Sequence, residues 1–84
     1  MAQERLISTR LGELIRARRI EEGYSSQEML AAELGVTQPT VSAWERGEAI
    51  PTLKALVALS RVLGIRMREL AELVDDGDDD GQAA

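Results

Sequence analysis

Four glycines, Gly23, Gly35, Gly47 and Gly64, punctuate a chain whose apolar residues recur at three and four rather than alternating. Leu11, Leu14 and Ile15 mark a first helical segment, expected from about Thr9 to Glu22, with Gly23 placed to end it in a left-handed cap. The second opens at Ser25 or Ser26, both competent N-caps, and carries Leu30, Ala31 and Leu34 up to Gly35. Thr37 caps a third, in which Pro39 falls in the first turn, where a missing N–H costs nothing, and Gly47 closes the last turn. Pro51 and Thr52 begin a fourth, with an expected core stripe of Leu53, Leu56, Val57 and Leu63. Gly64 separates it from a fifth running through Leu70 and Leu73. The pattern predicts an all-α fold of five short helices and no strands.

At 84 residues the chain has room for one domain and a modest core. It contains no cysteine, so disulfides cannot hold it and its stability must come from packing. There is no run of apolar residues long enough to span a bilayer and no signal-peptide pattern from Met1 to Arg10, so the expectation is a cytoplasmic protein away from any membrane. With no histidine, no cysteine and no glycine-rich phosphate loop, and with carboxylates scattered along the body, no catalytic residue, metal ligand or cofactor is expected.

A net charge of −5 argues at first against a nucleic-acid partner. Its distribution changes that. Five of the fifteen acidic residues, Asp75, Asp76, Asp78, Asp79 and Asp80, fall in the last ten positions, and the ten that remain match the ten basic residues. The chain therefore divides into an N-terminal segment 1–8, a neutral body 9–74 and an acidic tail 75–84, expected to be disordered because it has too little apolar surface to offset its ordering entropy. Such a tail either brakes DNA binding by repulsion or serves only solubility.

Only Gly35, Val36 and Thr37 join the second and third segments, too few for antiparallel neighbours, so the two must cross steeply as a helix-turn-helix. Around the third segment, Val41 and Trp44 point one way, while Gln38, Pro39, Ser42, Ala43 and Arg46 point the other. One face suits a core. The other carries short hydrogen-bonding side chains of the kind that fit a major groove and read base edges.

From Leu11 to about Leu73 the sequence resembles the phage Cro and repressor type of helix-turn-helix domain, the XRE-like family. The matching residues are Arg19 and Gly23, Gln27 to Ala31, Leu34 to Val36, the T-Q-P-T-V-S-x-W-E-R-G block at Thr37 to Gly47, and Pro51 to Ile65. Each motif is short, but the ordered set is specific. The resemblance implies a compact, lambda-repressor-like bundle of five helices that binds double-stranded DNA and regulates transcription, with the third helix as the recognition helix. Two departures stand out: one extra residue in the Tyr24-Ser25-Ser26 turn, and Ala43 where relatives commonly carry a longer polar side chain. Ser25 as N-cap would put Glu28 at the third helical position and complete a capping box; the motif register instead favours Ser26, with Gln27 leading the helix.

The candidate site residues follow. Gln38, Pro39, Ser42 and Ala43 are candidates for base contact, glutamine being suited to bidentate bonding with adenine. Gln27, Thr37, Thr40, Arg46 and Lys54 are candidates for phosphate contact. By the resemblance, Arg19 and Glu45 form an ion pair linking the first helix to the third, a structural role. A domain this small reads few base pairs, which favours a homodimer repressor on a palindromic operator. Its expected interface is Ala55, Ala58 and Val62 on the fourth helix with Met67 and Leu73 on the fifth. The alternative is an antitoxin-like or adaptor protein whose main target is a partner protein.

Overall fold

A computed structural model describes the backbone of residues 2–74 and the side chains of residues 5–74. Within these residues the chain forms five helices: α1 (Ala2–Glu21), α2 (Gln27–Leu34), α3 (Gln38–Glu45), α4 (Leu53–Leu63) and α5 (Met67–Val74). The acidic tail lies outside the described residues.

The first helix is longer than its apolar spacing predicts. It starts at Ala2 rather than at Thr9, so residues 2–8, expected as part of a separate N-terminal segment, run on into the body of α1. Residues 2–8 contain no glycine or proline to stop a helix, and the far end of that stretch is fixed by tertiary contact. The Oγ of buried Ser8 lies 3.0 Å from both the Arg5 carbonyl and the Gly47 carbonyl, its one hydroxyl hydrogen shared between the two acceptors. Gly12 lets α1 come closer still to α3: a Cβ there would stand 2.4 Å from the Trp44 carbonyl oxygen and 2.7 Å from that of Glu45. A lone glycine inside a helix costs about 1 kcal/mol relative to alanine; here it makes room for the end of the third helix.

The core is built where the helices converge. Leu11 and Ile15 of α1, Leu30 and Ala31 of α2, and Val41 and Trp44 of α3 are buried with Leu59, Leu63 and Ile65. Trp44 and Val41 therefore take the inward face that the spacing of the third segment predicts. On the far side, Arg18 fastens α1 to α5, with Nη1 donating to both carboxylate oxygens of Glu69 at 3.1 and 3.2 Å and Nη2 to the Gly64 carbonyl at 3.3 Å.

The face of α4 differs from the expected one. Leu53 and Val57, placed by spacing in the core stripe, are 77% and 41% exposed, whereas Leu59 and Leu63 are fully buried. Leu56 packs against the core, as do Ala55 and Val62, two residues assigned to the opposite, dimer-forming side. Leu73 of α5 is likewise packed inward, Ala58 is half-buried, and Met67 alone of the five expected interface residues is largely exposed, at 76%. The buried side, Ala55, Leu56, Leu59, Val62 and Leu63, lies across the helix from Lys54 and Arg61, so the charges of LKALVALSRVL mark its outer face; Val57 falls beside those charges and Leu53 at the edge of the stripe.

Candidate nucleic-acid interface

Local capping sets the angle between α2 and α3. Ser26, not Ser25, is the N-cap of α2: its Oγ accepts from the Met29 N–H at 3.2 Å. Gln27 is thus the first residue of the helix, and the extra residue of the turn is taken up before the cap. Gly35 ends α2 at φ 75°, a left-handed conformation that glycine adopts without steric cost, and the Val36 N–H closes back onto the Ala31 carbonyl at 3.0 Å. Thr37 then caps α3 in extended backbone geometry, with Pro39 in the first turn. Val36 tucks against the core between the two helices and fixes how they cross.

A chain of polar contacts runs from the interior to the start of α3. Arg19 and Glu45 form an ion pair with side chains 6% and 3% exposed; Nε donates to Oε2 at 2.6 Å and Nη2 to Oε1 at 3.4 Å. The remaining reach of the guanidinium is used on the Tyr24 carbonyl, at 2.9 Å from Nη1. Glu45 Oε1 also accepts from Gln27 Nε2 at 2.9 Å, and Gln27 Oε1 accepts from Gln38 Nε2 at 2.8 Å. The polarity of this chain is forced. An ionised carboxylate only accepts, so Gln27 must turn its NH₂ inward and its carbonyl outward, and Gln38 must in turn present its NH₂ to that carbonyl. Among the described residues Gln38 Oε1 and the second amide hydrogen have no protein partner, leaving one acceptor and one donor side by side.

The other candidate residues divide between those joined to this end of α3 and those elsewhere. Thr37 and Thr40 share a hydroxyl hydrogen bond of 2.9 Å, and Thr37 makes no side-chain cap to the helix. Pro39 is exposed, and Ser42 and Ala43 are half-exposed along the same helix. Arg46, just past the end of α3, donates from Nη1 to Ser42 Oγ and pairs through Nη2 with Glu48 at 2.9 Å. The hydrogen bond from Arg46, and then its charge, hold the Glu48 carboxyl below the usual glutamate range and Arg46 correspondingly high. Lys54 stands exposed in the first turn of α4, joined to none of these side chains among the described residues.

Three features escape sequence reasoning. The Gln27 to Gln38 hydrogen bond couples residues read as independent phosphate and base ligands; its one sequence signal is a glutamine opening each of two successive helices. Glu48 carries no motif. Gly12, inside a helix, could have been flagged as a site of close backbone approach.

Residues 15–70 match the helix-turn-helix family. The chain is 43% identical over 54 residues to an SPbeta prophage-derived uncharacterized HTH-type transcriptional regulator, YonR, of Bacillus subtilis (strain 168), covering 64% of this chain and 49% of that protein. It is 47% identical over 53 residues to the HTH-type transcriptional regulator DicA of Escherichia coli (strain K12), covering 63% of this chain and 38% of that one. The matched region thus spans half or less of each relative's length. No solved structure matches the chain significantly. No helix of the described residues is long and apolar enough to cross a membrane.

Proposed function

The chain belongs to the helix-turn-helix family of the phage Cro and repressor type, a family of DNA-binding regulators rather than enzymes, and on that premise we propose that it is a cytoplasmic, sequence-specific transcriptional repressor that binds DNA through α3. The observation that carries this reading is the state of Gln38. Its amide is oriented by Gln27 and retains one acceptor and one donor, the pair that adenine N6–H and N7 require in the major groove. Ser42 and Ala43 follow one turn later on the exposed side of the helix, and Ala43 can offer a thymine methyl an apolar contact. The backbone N–H of Gln27, at the positive end of α2, and Arg46 and Lys54 supply phosphate contacts that hold the register.

Two copies on a palindromic operator, with half-sites about one helical turn apart, give the specificity one recognition helix lacks. The exposed face of α4 supports such a homodimer, since Leu53 and Val57 are exposed at i and i+4, and Met67 is exposed at the start of α5. A dimer seated on its operator represses by occupancy, which demands no further surface.

Selection of bound sequences from random duplex DNA, followed by titration of variants, tests the reading. Gln38→Ala should lose about 1–3 kcal/mol on the selected site and relax the preference at one base pair. Arg46→Ala should instead weaken all sequences alike. A Gln38→Ala protein that selects the same sequences with the parent's affinity overturns this register of the recognition helix.

A further inference from the structure

The α3–α4 turn brings a carboxylate onto a cation that the proposed function assigns to DNA. Gly47, at φ 74°, turns the backbone so that residue 48 comes back beside residue 46, and Glu48 Oε1 meets Arg46 Nη2 at 2.9 Å while Arg46 Nη1 reaches back to Ser42 Oγ. The guanidinium is thereby held along the end of the recognition helix by two partners at once. Both charged side chains are more than half exposed, so the pairing reflects their placement on the turn rather than burial. A cleft of about 700 Å³ opens at this point between α1 and the turn, with Arg5, Thr9, Arg46 and Glu48 in its wall. Glu48 is the one carboxylate among its described lining residues.

We propose that Glu48 is an intramolecular competitor for the DNA backbone, a carboxylate that occupies Arg46 in the free protein and must be displaced by a phosphate when DNA binds. The inference rests on the phosphate role of Arg46 in the reading above. A phosphate and a carboxylate present the same acceptors to a guanidinium, and one fork engages them alternately. Binding therefore exchanges one anion for another at Arg46 and leaves Glu48 uncovered beside the polyanion, where it takes up a cation instead of releasing one. Because phosphates are alike in every sequence, this penalty falls on all DNA equally. Glu48 sets how tightly the protein holds any duplex, while Gln38 sets which duplex it prefers.

A double-mutant cycle on full-length protein tests the proposal, using a duplex selected from random DNA, a scrambled duplex of the same length, and far-UV circular dichroism to verify that each exposed-site variant is folded. Glu48→Gln should tighten binding to both duplexes by about two- to five-fold, the range an exposed ion pair commands. It should also steepen the dependence of log K on log salt by about one released counterion. In the Arg46→Ala background the same Glu48→Gln change should have little effect, because the competition has lost its object. Equal tightening with and without Arg46 would show a general charge effect and overturn the proposal, as would no tightening in a parent whose binding Arg46→Ala weakens. If the unmodified chain selects and binds no DNA, the functional reading itself fails and carries this inference with it, an outcome distinct from the other two.

Discussion

The Gln27 side-chain carbonyl accepts a hydrogen bond from the Gln38 amide at 2.8 Å, and through this contact the buried carboxylate of Glu45 sets the orientation of a side chain at the exposed start of α3. Gln27→Ala deletes the intermediate link. Glu45 loses a donor in a nearly dry position, which costs about 1–3 kcal/mol of stability for a buried acceptor left short of partners. Gln38 is freed to rotate. The expected outcome on DNA is a broadened preference at the base pair Gln38 reads, with non-specific affinity changed less. Sequence selection in parallel with Gln38→Ala checks it: if Gln27→Ala keeps the parent's preference at every position, the relay does not act on recognition.

Gly12→Ala should destabilise the fold even though alanine is the better helix former. The added methyl would overlap the Trp44 and Glu45 carbonyls, which belong to the backbone and cannot swing aside. Overpacking of this kind costs about 1–3 kcal/mol, and at the size of this domain each kcal/mol lowers Tm by roughly 4–8 °C. A thermal melt decides the matter. A Tm equal to or above the parent's would mean that α1 and α3 separate freely at this crossing.

Substitution on α4 distinguishes its two faces. Val57→Glu, on the exposed stripe, should leave the fold intact and weaken self-association and operator binding together. Val62→Glu places a charge on the partly buried side that packs against the core and should destabilise the domain, because the carboxylate loses water there without gaining a partner. Sedimentation over a range of concentrations, with circular dichroism alongside, reads both. A folded Val57→Glu protein that self-associates at the parent's concentrations excludes this surface as the dimer contact.

Glu69 ties acid stability to the docking of α5. The backbone N–H of Arg66, and after it the hydrogen bond and charge of Arg18, hold the Glu69 carboxyl below its usual value. A carboxyl whose pKa is lower folded than unfolded contributes stability that is present above the unfolded value and lost as pH falls through the folded one. Glu69→Gln should therefore melt below the parent at neutral pH, with the two curves converging as pH drops through and below the ordinary glutamate range. A constant gap down to strongly acidic pH would assign the loss to packing rather than to charge.

The helix stops and the inward face of α3 were legible in the sequence because they are local. A glycine in a left-handed cap, a serine before a helix and a three-residue turn act within a few residues of themselves, and in QPTVSAWE the bulky apolar pair Val41 and Trp44 share one side. The ion pair of Arg19 with Glu45, spanning 26 positions, was anticipated only through the family resemblance. The extent of α1 is not legible in apolar spacing, because residues 2–8 are helical without an apolar stripe dense enough to announce it.

What the chain determined by itself was the set of helices and the length of the turns between them, properties of short-range backbone preference. Tertiary structure decided the rest: why a glycine sits inside α1, and how Gln27 joins Glu45 to Gln38. Each of these depends on groups that meet only after the helices dock, 11 and 18 positions apart for the two links of the glutamine relay. The physical reason is one of range. Periodicity records the direction in which a side chain leaves its own helix, but the neighbour it meets is fixed by the simultaneous packing of all the helices into one dense core.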